Sequence, residues 1–132
     1  MNARISRSRW VDTCALDDIW PGSGECALVG RLQIAVLRAG AGETVYAIDN
    51  FDPFSKAYVL SRGIVGESHG EPIVVSPLYK QTFSLSSGVC LDDPTVKVGV
   101  YPARVRAGRI ELQVPAHTLD SFESIESIEA SA

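Results

Sequence analysis

The residues of this sequence with the chemistry to catalyse, ligate or exchange electrons are few, and their spacing narrows what they can do. Cys14, Cys26 and Cys90 are odd in number and widely separated, with no C-x-x-C pair among them. That pattern is neither a disulfide framework nor a zinc or thiol-exchange site, and small buried hydrophobes are the expected role. His69 lies in the polar stretch Ser68-His69-Gly70-Glu71 and His117 near the end of the chain. Neither adjoins a strained Ser or Cys elbow, so both read as surface histidines rather than general bases. Gly22-Ser23-Gly24-Glu25 and Gly40-Ala41-Gly42-Glu43 each contain G-x-G. Neither is completed between a strand and a helix as a dinucleotide fingerprint requires, so both read as turns.

Two proline-containing loops remain: Asp52-Pro53-Phe54-Ser55-Lys56 and Ser76-Pro77-Leu78-Tyr79-Lys80-Gln81. Each follows a strand-like run, and their separation suits a paired tip. A carboxylate at the start of a turn is expected to accept backbone N–H groups, as Asp52 can from its own loop. Phe54 and Tyr79 are expected to pack between the loops as an apolar bridge. Phe51, Ser55, Lys56, Tyr58, Arg62, Lys80 and Gln81 surround them, a mixture of cations and aromatics common at protein interfaces. These seven form the candidate partner interface.

The elements that must hold these loops are strands. Leu32, Ile34 and Val36 alternate with intervening residues in one run, and Thr44-Val45-Tyr46-Ala47-Ile48 returns after a Gly-rich turn. The clearest alternation is Ala103–Arg106, Ala107-Gly108, then Arg109–Val114, with Val105, Ile110, Leu112 and Val114 on one face and charged or polar residues on the other. Shorter candidates start near Trp10 and at Cys26–Val29, Ile73–Ser76, Thr82–Leu85 and Val96–Val100. About eight to nine short strands separated by turns predict an all-β antiparallel sandwich or barrel. Only Ala15–Ile19 suggests a helical turn. The apolar residues Leu119, Phe122, Ile125 and Ile128 recur every third position of an acidic tail, which reads as a solvated terminus more readily than as a docking helix.

At 132 residues, 45% of them hydrophobic and 21% charged, the chain is the size and composition of one soluble globular domain. The expected organisation is a flexible N-terminus over 1–8, a domain over 9–114 and an acidic tail over 115–132. The net charge of -4, with scattered Lys and Arg, argues against nucleic acid as a partner. No apolar run has signal-peptide or membrane-span length, so a cytoplasmic protein is expected.

The two loops and their flanks resemble the Rieske iron–sulfur domain, which carries C-P-H in one loop and C-P-x-H in the other. Pro53, Leu60, Gly63, Pro77, Phe83 and Gly88 match the framework of that family, and the resemblance covers roughly residues 9 to 114. It implies a Rieske-like fold with a two-loop, cluster-binding-type tip. The four ligand positions do not match. Asp52 and Ser76 stand where thiolates belong, and Phe54 and Tyr79 where imidazoles belong. A Rieske centre needs two thiolates and two imidazoles. A hard carboxylate, mostly protonated hydroxyls and a phenyl ring do not replace them. No 2Fe-2S cluster is expected in this chain, and neither a catalytic residue nor a metal ligand.

Within that superfamily, Asp49–Phe54, Val59–Gly66 and Ser76–Gln81 look like the small subunits of assimilatory NAD(P)H-dependent nitrite reductases. This resemblance implies a non-catalytic subunit of an oxidoreductase complex in nitrate assimilation. It would dock on a large subunit that carries FAD, siroheme and a 4Fe-4S cluster and reduces nitrite to ammonium. The alternatives are a Rieske-type ferredoxin holding a cluster by other ligands, and a stand-alone β binding module.

Overall fold

The computed structural model describes residues 8–118. The strands are β1 (Ser8–Ala15), β2 (Gly24–Val29), β3 (Leu32–Arg38), β4 (Val45–Asp49), β5 (Phe51–Asp52), β6 (Ala57–Tyr58), β7 (Ile64–Ser68), β8 (Glu71–Val75), β9 (Thr82–Ser84), β10 (Val100–Tyr101), β11 (Ala103–Arg106) and β12 (Arg109–Pro115). They form a four-stranded sheet ordered β10-β4-β3-β2, two three-stranded sheets, β1-β12-β11 and β7-β8-β9, and the small β5-β6 ribbon. Every pairing is antiparallel. The all-β antiparallel architecture is as expected, with twelve strands among the described residues rather than about eight to nine, because Ile64–Ser68 and the two-residue β5 and β6 also pair.

The four-stranded sheet lies between two apolar clusters because its central strands bury both faces. In β3, Ile34 and Val36 pack with Ile110, Leu112 and Val114 of β12. The alternate residues Ala35 and Leu37 pack with Leu60, Val74, Phe83, Leu85 and Val98. The consecutive apolar run Ile34-Ala35-Val36-Leu37 is thus the signature of a strand covered on both sides, where a single apolar face was expected. By contrast, the β11–β12 hairpin keeps the expected alternation, with Ile110, Leu112 and Val114 fully buried. It turns through Ala107 (φ 50°) and Gly108 (φ 76°), the left-handed pair of a tight hairpin.

Two differences from expectation concern the half of the molecule that carries the loops. The Ile64–Ser68 run forms a strand that Gly66 and Glu67 had masked, pairing with β8 from Ile64↔Val75 to Ser68↔Glu71. Residues 96–99 do not form the expected strand. They run irregularly, held where Val98 N donates to Gly88 O at 2.9 Å and Cys90 N to Val96 O at 2.9 Å. Gly88 is required here: its φ is 80°, and a β-carbon would collide with the Val98 carbonyl oxygen. The helical turn expected near Ala15–Ile19 is a 3-10 turn over Leu16–Asp18. The buried Arg38 guanidinium ties this turn to the β3–β4 connection, donating to Leu16 O at 3.4 Å and Ile19 O at 2.8 Å on one side and to Ala41 O at 3.0 Å and Gly42 O at 3.1 Å on the other. Of the acidic tail, 115–118 are described: Pro115 pairs with Ser8, and Thr118 is buried. The apolar repeat from Leu119 onward lies outside the described residues.

Candidate functional site

The two proline loops start from strands that the second apolar cluster fixes in place. The first leaves β4 through Asn50, which is buried and serves as a clamp. Its backbone N–H donates to Gln33 O at 2.9 Å, its carbonyl accepts from Leu60 N at 3.0 Å, and its Oδ1 accepts from Ser61 N at 2.7 Å. The second loop leaves β8 and closes where Ser76 N donates to Gln81 O at 2.8 Å. Between the loops, Gly63 permits close packing: a β-carbon there would lie 2.5 Å from the Val75 carbonyl oxygen.

Asp52 and Ser76 meet. Both are fully buried, and the Ser76 hydroxyl donates to Asp52 Oδ2 at 2.5 Å. The other carboxylate oxygen accepts from Phe54 N at 2.9 Å and, at 3.5 Å, from Ser55 N. The Asp52 carbonyl accepts from Lys56 N at 2.7 Å. The Ser76 oxygen in turn accepts from Leu78 N at 3.5 Å. The expected acceptor role of Asp52 is therefore realised, and the loops are joined by a polar contact as well. Removing one partner of a buried hydrogen bond leaves the other unsatisfied, which is why this pair fixes the loops relative to each other.

Phe54 and Tyr79 do not form the expected bridge. Phe54 turns inward, its ring 6.2 Å from that of the fully buried Phe83 and tilted by 52°. Tyr79 turns outward and is 62% exposed. Aromatic character alone therefore misleads about burial here.

The remaining interface candidates divide. Lys56, Tyr58, Arg62 and Lys80 are exposed, whereas Phe51, Ser55 and Gln81 are half-buried. Phe51 supports Tyr58 from beneath, with ring centroids 5.0 Å apart. Ser55 Oγ and Gln81 Oε1 are buried without a hydrogen-bond partner among the described residues. Sequence reasoning missed two contributors. Leu78 is 51% exposed beside Tyr79. Asn50 holds the base of the first loop, and its signal was an Asn standing between a strand and a proline turn.

These residues do not fit an iron–sulfur cluster. The Asp52 and Ser76 oxygens are spent on each other and on backbone N–H groups, Phe54 has no donor atom, and Tyr79 points away. Cys14 and Cys26 lie on β1 and β2, and Cys90 lies in the core against Phe83. Cys26 is exposed, contrary to the expectation of a buried thiol. Burial raises the Cys14 thiol above its ordinary range, and partial desolvation of the sulfur followed by the Glu25 carboxylate does the same at the more open Cys26, which disfavours the thiolate at both. No three His, Cys, Asp or Glu among the described residues are grouped to hold a metal ion, and no helix among them is long and apolar enough to cross a membrane. His69 occupies the φ 52° position of the β7–β8 turn, exposed as expected.

The model of the Rieske-like [2Fe-2S] domain family matches residues 9–113. The nitrite reductase (NADH) small subunit of Salmonella typhimurium is 48% identical over 106 residues, 80% of this chain and 98% of that protein. The NMR structure of the Escherichia coli protein NirD superposes with a TM-score of 0.77 at 45% identity, covering 83% of this chain and all of that one. A nitrite reductase [NAD(P)H] large subunit from Klebsiella oxytoca is 45% identical over 101 residues, which are 76% of this chain and 10% of that protein.

Proposed function

This chain belongs to the Rieske-like domain family and, within it, to the nitrite reductase small subunits, and on that premise we propose that it is a docking subunit without a cluster of its own. It binds the large subunit of a cytoplasmic NAD(P)H-dependent nitrite reductase. FAD, siroheme and a 4Fe-4S cluster in that partner carry electrons to nitrite, and ammonium is the product. The small subunit supplies no electron carrier and no acid or base to the reaction. Its contribution is a rigid β scaffold that holds two loops against the partner.

The observation that carries this reading is the Ser76–Asp52 hydrogen bond at 2.5 Å. In this reading a closed pair of oxygen groups stands where the fold would otherwise present two thiolates, and it supports loops that keep their geometry without iron. The partner is supported by the Klebsiella oxytoca large subunit, in which a tenth of the protein is 45% identical to this domain. A domain fused to an enzyme in one organism and separate in another is suited to bind that enzyme.

Co-expression with a tagged large subunit tests the reading. The chain should be retained on the tag and remain with the large subunit through size-exclusion chromatography. Elution of the chain alone, with the large subunit folded and loaded with its cofactors, would overturn it.

A further inference from the structure

The two loops share a feature of their backbone. Lys56 stands four residues after Asp52 and Lys80 four residues after Ser76, and both have left-handed backbones, with φ of 60° and 67°. A side chain bearing a β-carbon is disfavoured there, and Gly or Asn is the ordinary choice. The other two non-glycine residues with positive φ, His69 and Ala107, each precede a glycine in a hairpin turn, where such geometry is routine. Lys56 and Lys80 each end a four-residue hairpin turn with no glycine following, the first closed where Lys56 N donates to Asp52 O at 2.7 Å and the second where Ser76 N donates to Gln81 O at 2.8 Å. Gly would fit both positions more readily, so each lysine is retained at some backbone cost.

Charge at the tip is one-sided. From 51 to 65 and from 76 to 91, the exposed charged side chains are Lys56, Arg62 and Lys80, while the only carboxylate, Asp52, is buried. Among the described residues none of the three cations lies in an ion pair. The nearest following carboxylate, Asp92, accepts from Thr82 N at 2.8 Å. Beside the cations Tyr58, Leu78 and Tyr79 are 55%, 51% and 62% exposed. The chain as a whole is acidic, so this end is a cationic and aromatic pole on a protein of opposite net charge. Such a surface orients and accelerates docking onto a carboxylate-bearing face.

We infer that Lys56 and Lys80 are a paired electrostatic anchor that seats this tip on an acidic face of the reductase large subunit, with Tyr58, Leu78 and Tyr79 as its apolar contacts. The inference rests on the docking reading above and names the surface that carries it. The Asp52–Ser76 bond keeps the two lysine-bearing loops in fixed relation, so the pair is presented without further ordering on binding.

The test exploits the backbone. In the full-length chain, Lys56→Gly with Lys80→Gly removes both charges and relieves both left-handed positions. The thermal midpoint should hold or rise, while affinity for the cofactor-loaded large subunit falls at least about tenfold and loses its salt dependence. Lys56→Gln with Lys80→Gln, which keeps the β-carbons, should lose affinity to the same degree. Arg106→Glu, on the hairpin of the β1-β12-β11 sheet, should leave affinity unchanged. Unaltered affinity in both lysine double variants would overturn the anchor and leave the docking reading intact. Failure of the wild-type chain to bind would overturn both.

Discussion

The Ser76 hydroxyl and the Asp52 carboxylate, 24 residues apart in sequence, meet at 2.5 Å with neither side chain exposed. In the reading proposed above they also stand where the fold family carries thiolates. One short polar contact thus takes over the work of joining the loops, and it uses up the atoms that would otherwise face a metal.

Ser76→Ala should therefore destabilise the domain by about 1–3 kcal/mol, the cost of a buried acceptor left unpaired. Asp52→Ala should cost at least as much, because Phe54 N and Ser55 N lose their acceptor as well. In a double-mutant cycle the two losses should not add, since both remove the same contact. Urea unfolding measures this, and a Ser76→Ala midpoint equal to wild type would contradict the role given to the pair.

Phe54 and Tyr79 should part company. Phe54→Ala removes a ring packed on Phe83 and should cost about 2–3 kcal/mol, below the range for a fully buried Phe because Phe54 is only half-buried. It should also speed proteolysis in the first loop. Tyr79→Ala removes an exposed side chain and should change stability by less than about 0.5 kcal/mol. Equal losses from the two substitutions would show that Tyr79 packs between the loops after all.

Tyr101 sets an alkaline limit. Burial, then the hydrogen bond from its hydroxyl to Asp49 Oδ1 at 2.7 Å and the charge of that carboxylate, push the phenol well above its ordinary range. The folded chain holds this proton more tightly than the unfolded chain. The stabilisation is therefore complete below the unfolded pKa near ~10 and is lost as pH rises from there toward the folded value. Wild type should exceed Tyr101→Phe in thermal midpoint at neutral pH, and the gap should close above about pH 10. A gap independent of pH would contradict the assignment.

How much of this was legible depended on how local the cause is. The β11–β12 hairpin is written in adjacent residues, Ala107-Gly108 between alternating runs, and it formed as read. Pro53 and Pro77 marked both tip loops correctly, and Asp52 accepts the turn amides its type favours. The Asp52–Ser76 bond could not be read, because it depends on β5 and β8 being brought together by the core around Leu60, Val74 and Phe83. The direction of Tyr79 depends on the backbone of its loop, which residue type does not specify. The left-handed lysines are equally silent in the sequence, where Lys carries no turn preference. Burial of β3 on both faces was available in the unbroken run Ile34–Leu37, but only to a reader who weighted continuity above alternation.

The central claim is that these loops are closed by oxygen groups and hold no iron. Chain expressed with iron–sulfur assembly machinery and purified without oxygen tests it most directly, by visible absorption with iron and acid-labile sulfide analysis. The account predicts a colourless protein with far less than stoichiometric iron and sulfide. A brown protein with stoichiometric iron and sulfide, both lost on Asp52→Ala or Ser76→Ala, would contradict it.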